Sequence, residues 1–366
     1  QRSIFCFFKR FTAGVITRSL KLGYNYALRT LNANKEDKMS QIHLAIAADF
    51  TLAEKLLEAL ENSNLTFDKV SAVEIEPFGE EQNLRFGTKA VEQFELDNLD
   101  WSQFTHVLFA APMAQAETLA KAAQAGCIIL DLFGITSLIG NVPVIVPNVN
   151  NEALINLREH NIVALANPQI SQLVLALQPL LDQQLSQIFV TSLLPSAYFG
   201  EKKVKELAGQ TARLLNGIPF DDNVERIAFD VVPANVQGEE KQLPFSRVFE
   251  LQLAKVLPNL TASVTFHSVQ VPVFYGVSQM VSVQSEYELD VEALSADWAN
   301  NAWIHFSENE VQTPVKNGEN EEQNALQISQ LLAKEENALQ FWSVADEQKF
   351  SLAFLAVELL ALVLDY

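Results

Sequence analysis

The sequence predicts an α/β protein made of a Rossmann-like doubly wound domain and an α+β domain with a mixed or antiparallel sheet. Three observations support this class. Apolar strand-like runs alternate with helix-like segments from residue 42 to residue 165. Beyond residue 170 the runs become rich in β-branched residues and partly alternating. The chain of 366 residues also exceeds the usual length of one domain.

In the first part, short apolar runs predict the strands and an apolar stripe predicts the first helix. Leu52, Leu56 and Leu60 recur at the spacing of one helix face. Such alternation is typical of a mostly parallel sheet with right-handed crossovers and helices on both faces. The predicted strands cover residues 42–47, 70–75, 107–111, 127–130, 142–147 and 162–165, and the helices cover 51–62 and 117–125.

In the second part, the pattern predicts a sheet with one packed face and one free face. Helices are predicted at residues 171–184 and 201–215, strands at 227–233, 263–273 and 280–283, and an exposed loop at 314–323. Residues 350–364 are almost continuously apolar at helical spacing, so we expect a buried helix that packs on the first domain. The predicted domains are therefore 39–167 with 349–366, and 168–348.

Charge and composition exclude several classes of function. The net charge of −20 disfavours nucleic acid, because phosphate binding needs clustered Lys and Arg. Two cysteines make no disulfide framework, and the histidines are scattered without ligand spacing, so no metal site is predicted. These histidines are His43, His106, His160, His267 and His305. No apolar stretch approaches the roughly 20 residues that span a bilayer.

Residues 1–38 differ from the rest of the chain. They carry a net charge of +6, whereas the remainder carries −26. An Arg-rich, acid-poor leader is typical of a transit peptide or a membrane-surface segment. Because the fold pattern starts directly after Met39, we favour upstream sequence that is not part of the native protein.

Several framework motifs resemble the aspartate-semialdehyde dehydrogenase family. The matching stretches are residues 63–69 (SNLTFDK), 125–131 (AGCIILD), 142–150 (VPVIVPNVN) and 176–180 (ALQPL). This resemblance implies a cytoplasmic enzyme of amino-acid biosynthesis that uses NADP and has a cofactor domain and a dimerisation domain.

The family's cofactor-binding residues are replaced in this sequence. Its first glycine-rich turn lets the backbone approach the cofactor pyrophosphate at a helix N-terminus. The three glycines of that turn fall on Ala47, Phe50 and Ala53, and Asp49 adds a negative charge beside them. In the next cofactor loop, Pro112 stands in place of the family glycine. We therefore expect no bound cofactor.

The family's catalytic residues are replaced as well. The nucleophilic Cys falls on Pro168, which cannot form a thioester. The substrate-positioning Gln falls on Leu194, the substrate-binding Arg on Gln270 and the acid/base His on Val277.

Residues near these positions offer weak substitutes. A phosphate-binding Arg of the family falls near Ser137. Ser171 would need a neighbouring base to act as a nucleophile, and His267 is expected to be an exposed strand residue.

The leading hypothesis is a catalytically inactive, USG-1-like member of the family that acts through dimerisation or another protein-protein contact. Its partner would be a second copy, an active paralogue or another protein. The alternative is an oxidoreductase or ligand-binding protein with an altered substrate or cofactor. A third possibility, an active dehydrogenase with misaligned motifs, would need Cys127 as its nucleophile, and we expect that residue to be a small buried hydrophobe.

Overall fold

The computed structural model describes residues 41–79, 81–97, 99–220, 224–234, 245–319 and 324–366. The predicted leader at 1–38 lies outside these residues. From His43 to Tyr366 the chain forms one compact unit.

The first sheet has seven strands, and every strand pair in it is parallel. Its strands lie side by side in the order Glu92–Glu95, Lys69–Glu74, His43–Ala48, His106–Phe109, Ile128–Asp131, Ile162–Leu165 and Val144–Ile145. The chain first adds strands on one side of His43–Ala48 and then crosses over to add strands on the other side, as in a Rossmann sheet. The central strands are buried on both faces, so they consist of continuous apolar runs. The strands are β1 His43–Ala48, β2 Lys69–Glu74, β5 Glu92–Glu95, β6 His106–Phe109, β7 Ile128–Asp131, β8 Val144–Ile145 and β9 Ile162–Leu165, with the small hairpin β3 Arg85–Phe86 and β4 Lys89–Ala90 between β2 and β5.

Three helices belong to this part of the chain. They are α1 Phe50–Glu61, α2 Ala116–Gln124 and the single turn α3 Leu157–His160. In α1, the predicted apolar stripe of Leu52, Leu56 and Leu60 is buried against the sheet. The alternation predicted from the sequence is confirmed.

The second sheet is mixed and also has seven strands, in the order β11-β12-β10-β13-β16-β15-β14. Two of its pairs, β10 with β12 and β14 with β15, are parallel, and the others are antiparallel. The strands are β10 Leu185–Leu194, β11 Val232–Pro233, β12 Ser263–Gln270, β13 Val277–Ser285, β14 Ile304–Ser307, β15 Leu326–Glu335 and β16 Ala338–Ala345.

Helix α4 (Pro168–Leu177) joins the two sheets. It follows β9 of the first sheet and contacts β13, β15 and β16 of the second sheet. All ten of its residues are buried, so it forms part of the core that the two sheets share. The remaining helices of the second part are α5 Glu201–Leu215, α6 Phe245–Val256, α7 Val291–Asn300 and α8 Pro314–Glu319.

The C-terminal segment confirms the prediction for residues 350–364. A π-helical stretch, Glu347–Phe354, continues into α9 (Leu355–Asp365). Helix α9 contacts α1, β7 and β9, so the chain returns to the first sheet. No helix in the described ranges is both long and apolar enough to cross a membrane.

Two expectations about the second part are wrong. The run at 227–233 contributes only Val232–Pro233 to the sheet, because β11 pairs with the end of β12 alone. Residues 314–319 of the expected loop at 314–323 form helix α8 instead, whose first residue is Pro314, a favoured starting residue for a helix. Residues 320–323 lie outside the described residues.

Candidate functional site

A cleft of about 250 Å³ opens at the carboxyl ends of the first sheet's strands. Asp49 follows β1, Phe133 follows β7, and Asn167 follows β9 at the start of α4. The second part of the chain contributes Tyr198, and the π-helical segment contributes Glu347. In doubly wound folds, ligands bind at this edge of the sheet.

The beginning of α1 is already occupied by an acid. The Asp49 carboxylate accepts a hydrogen bond from Leu52 N at 2.9 Å and so caps the helix. The ring of Phe50, the first residue of α1, packs edge-to-face on Phe78 with the centroids 5.4 Å apart. A pyrophosphate there would meet a carboxylate where it needs free amides, and a ring where it needs bare backbone. These residues do not fit NADP.

The other residues expected to replace the cofactor-binding positions have separate environments. Ala47 and Ala53 are fully buried in the core beneath α1. Pro112 is exposed and precedes the one-turn helix Met113–Gln115, where Gln115 N donates to Pro112 O at 2.8 Å. Compared with a glycine, Pro112 therefore restricts the backbone at this position, but its ring does not line the cleft.

Pro168 is the first residue of α4, at the place where the family resemblance puts the nucleophile. Asn167 caps this helix, with its side chain accepting from Gln169 N at 3.0 Å. Cys127, the one cysteine in the described residues, directly precedes β7, and its Sγ is 3.1 Å from Trp101 O. Burial raises the pKa of the Cys127 thiol to about 11. Neither residue supplies a thiolate to the cleft.

Leu194 and Val277, which the family resemblance aligns with polar residues, lie in an apolar cluster. Together with Ala234 they form a small buried group, against which Tyr198 and Phe199 pack. Gln270 is the register partner of Leu194 across β10 and β12. It is buried, and its Nε2 atom has no hydrogen-bond partner in the described part of the chain. The structure thus brings these three positions together, but it provides neither a base nor a cation.

A neutral hydrogen-bond network links α4 to the second sheet. The Tyr198 hydroxyl lies 2.6 Å from Gln169 Nε2 and 2.7 Å from Asn167 Nδ2. Ser268 Oγ donates to Gln169 Oε1 at 3.1 Å, and Gln279 Nε2 donates to Gln169 O at 2.8 Å. Burial raises the pKa of Tyr198, which keeps its hydroxyl protonated. The network therefore holds α4 in place with uncharged groups.

A second chain of neutral contacts reaches the position near which a phosphate-binding Arg was expected. Gln252 Oε1 accepts from Asn167 N at 3.0 Å, and its Nε2 donates to Ser137 Oγ at 2.8 Å. Both Gln252 and Ser137 are buried. The hydroxyl group of Ser137 is thus hydrogen-bonded to Gln252 within the protein.

Glu347 is the one acid of the cleft whose pKa is strongly shifted, and no pattern in the sequence points to it. Its carboxyl is buried, with Oε2 accepting from Gly276 N at 2.8 Å and Oε1 without a hydrogen-bond partner in the described residues. Burial, followed by the neighbouring charge of Asp346, raises the pKa of Glu347 to about 8. In the sequence, an acid directly before an apolar helical segment suggests no more than an N-terminal cap. In the structure Asp346, not Glu347, is that cap, because its side chain accepts from Gln348 N and Lys349 N.

Other candidate residues do not take part in the cleft. Ser171 is buried, and its hydroxyl donates to Ala166 O at 3.2 Å. His267 is exposed on the second sheet, paired with Thr191. Over the ranges that the structure describes, no three His, Cys, Asp or Glu residues are arranged to hold a metal ion.

Comparison with known proteins gives concordant findings. Residues 177–348 match the family described as semialdehyde dehydrogenase, dimerisation domain. A USG-1 protein homolog of Haemophilus influenzae is 46% identical over 323 residues, covering 87% of this chain and 96% of that protein. Aspartate-semialdehyde dehydrogenase 2 of Vibrio cholerae is 33% identical over 261 residues, covering 69% and 76% respectively.

Solved structures extend the likeness to the whole fold. The crystal structure of aspartate semialdehyde dehydrogenase II from Vibrio cholerae superposes with a TM-score of 0.81 at 26% identity. The match covers 89% of this chain and 99% of that chain.

Proposed function

The chain belongs to the aspartate-semialdehyde dehydrogenase family, and from this premise we propose that it is a catalytically inactive, cytoplasmic member that acts as a homodimer. The observation that carries the first half of the proposal is Pro168 at the N-terminus of α4, where the family reaction needs a thiolate. Cys127 cannot substitute, because its thiol is buried away from the cleft and its pKa is raised to about 11.

We also propose the domain division expected from the sequence, with 39–167 and 349–366 in one domain and 168–348 in the other. In its support, the strands of the first sheet lie between His43 and Leu165, and those of the second sheet lie between Leu185 and Ala345. Helix α9 contacts the first sheet's β7 and β9, which supports its assignment to the first domain.

The second half of the proposal concerns the outer face of the mixed sheet. Aligned residues on neighbouring strands form two rows across this face: Thr265, Phe189, Ser282, Gln340 and Leu332 in one row, and His267, Thr191, Met280 and Trp342 in the other. Phe189 and Leu332 are each 47% exposed, and Met280 is 56% exposed. Apolar side chains grouped on a sheet are typical of an interaction surface.

We name a second copy of the chain as the partner on this outer sheet face. The match of residues 177–348 to a dimerisation domain supports that choice, since these residues include β10, β13, β15 and β16. A groove of about 360 Å³ lies on the same face beside Met280, Leu332 and Trp342. An active paralogue is the alternative partner.

Catalytic inactivity is tested with the purified full chain, aspartate semialdehyde, NADP and phosphate. We expect no formation of NADPH above a reaction without protein, and no change in melting temperature with NADP. Turnover that scales with protein concentration would overturn this half of the proposal.

Dimerisation is tested by analytical ultracentrifugation of the wild type and of Met280→Glu. A charge in the centre of an apolar interface should convert the dimer to a monomer. Ile155→Glu is the matched control, because Ile155 is an apolar side chain that is 72% exposed in the first part of the chain. A wild-type monomer, or a dimer that persists in Met280→Glu, would contradict the assignment of this face.

A second function, binding of a ligand other than a dinucleotide, is favoured by the cleft itself. The volume of about 250 Å³ persists although the residues around it do not fit NADP.

A further inference from the structure

The charged side chains that line the cleft between Asp49, Tyr198 and Glu347 are all acidic. Acidic side chains approach it from three separate elements: Asp49 from the cap of α1, Glu201 from the start of α5 and Glu347 from the π-helical segment. No Lys or Arg lines the cleft among the described residues. The arrangement is the opposite of what a phosphate or carboxylate ligand requires.

Two carboxyl oxygens of these acids are buried without a hydrogen-bond partner in the described part of the chain. They are Glu347 Oε1 and Glu201 Oε2. Glu347 is 1% exposed, and its other oxygen is fixed by Gly276 N at 2.8 Å. An unpartnered buried acceptor is costly for the free protein, and a ligand donor would satisfy it.

The rest of the cleft wall is apolar and aromatic. Phe133, Phe199 and Leu352 contribute to it. A bare metal ion would find few ligands there, whereas an organic body would bury apolar surface against these side chains. Aromatic faces also attract organic cations.

We propose that the cleft binds a small organic ammonium ion, with the ammonium group donating to Glu347 Oε1 and the apolar body lying against Phe133 and Phe199. This ligand class follows from two unpartnered carboxyl oxygens in an aromatic cleft of about 250 Å³. The proposal is independent of catalytic inactivity and of the dimer.

Binding should be coupled to proton release from Glu347. The pKa of this carboxyl is raised to about 8 by burial and by Asp346, so it is mostly protonated at pH 7. A bound ammonium would favour the carboxylate, and the displaced proton would enter solvent. The charged and titratable groups around Glu347 are Asp346, Lys55, Glu201, Tyr198 and Tyr275.

Lys55 does not act as the partner of Glu347. Its ammonium donates to Gln348 Oε1 and lies 5.2 Å from the ring centroid of Tyr275. Its charge lowers the pKa of Glu347 less than burial raises it. Lys55 therefore does not occupy the position beside Glu347 Oε1 at which a ligand cation would bind.

The experiment is isothermal titration calorimetry of the full chain with phenethylammonium chloride and with phenethyl alcohol. The two probes share an apolar body and differ in charge. At pH 7, we expect the ammonium to bind at least about tenfold more tightly than the alcohol. Measurements in two buffers of different ionisation enthalpy should show proton release, and affinity should rise from pH 6 to pH 8.

Glu347→Gln is the decisive variant, because an amide keeps the shape and the acceptor for Gly276 N without the charge. We expect it to bind the ammonium at least about tenfold more weakly and without proton release. Glu76→Gln, which removes an exposed carboxyl outside the cleft, should match the wild type. Equal binding of the two probes, no binding of the ammonium, or unchanged binding by Glu347→Gln would each overturn the proposal.

Discussion

The buried acid Glu347 should destabilise the folded protein at neutral pH, and Glu347→Gln should remove that cost. In the folded state, Oε2 accepts from Gly276 N at 2.8 Å, an interaction that an amide oxygen can keep. The other oxygen has no hydrogen-bond partner in the described residues, so an amide nitrogen there loses no contact. The substitution therefore isolates the cost of ionising the side chain in a buried site.

The sign and size follow from the two pKa values of Glu347. The usual value is 4.5, and burial raises the pKa in the folded protein to about 8. The folded state thus holds the proton more tightly, and this stabilisation is fully present below pH 4.5 and is lost as the pH rises to 8. Each pH unit in that window costs about 1.4 kcal/mol. The cost is below about 1 kcal/mol at pH 5, about 3 kcal/mol at pH 7 and about 5 kcal/mol above pH 8.

The assay is urea denaturation of the wild type and Glu347→Gln at pH 5, 7 and 9, followed by tryptophan fluorescence. We expect nearly equal free energies of unfolding at pH 5 and a growing advantage of the variant at pH 7 and pH 9. Glu76→Gln is the control for loss of an exposed carboxyl. A difference between Glu347→Gln and the wild type that does not change with pH would refute the assignment of a raised pKa to Glu347.

Three further predictions concern the positions that the resemblance aligns with the family's site, and the core. Pro168→Cys should not produce NADPH from aspartate semialdehyde, because the apolar cluster with Leu194 supplies no base for the new thiol; measurable turnover would contradict this. Asp49→Ala should lower the free energy of unfolding by about 1 kcal/mol, measured by denaturation, because the cap on Leu52 N is lost. It should not create NADP binding, measured by thermal shift, because Phe50 remains. The pKa of partly buried His106 is lowered to about 4, chiefly by burial, so the free energy of unfolding should fall by roughly 3 kcal/mol as the pH drops from 6.5 to 4. His106→Gln should flatten that dependence in denaturation at several pH values, and an unchanged slope would count against it.

The order of helices and strands could be predicted from the sequence because its signals are local. A buried parallel strand such as β1 needs a continuous apolar run, and a helix such as α1 needs an apolar stripe at helical spacing. The weak strand at 227–233 shows the limit of this reasoning. Only Val232–Pro233 pairs, since pairing depends on which edge of the sheet is free to accept the segment.

Residue identity alone predicts the loss of the family chemistry at several positions. Proline has no thiol, leucine and valine cannot transfer a proton, and these facts hold in any fold. A different signal, the partly alternating pattern at 263–273, predicted that His267 is exposed on a strand, and the structure agrees. The position of the Pro112 ring could not be predicted, because the sequence does not indicate whether a proline ring fills a cleft or lies in solvent. In the structure Pro112 is exposed.

The fold class, the family and the absence of a thiolate at Pro168 therefore follow from the amino-acid sequence without any structure. Three features of the cleft became visible only in three dimensions: Asp49 caps α1, Tyr198 bonds to Asn167 and Gln169, and Glu347 is buried. The reason is that periodicity and residue type act over a few positions, whereas burial and the pKa of a carboxyl depend on every element that surrounds it. Residues 49, 198 and 347 meet because the chain returns to the first sheet after completing the second.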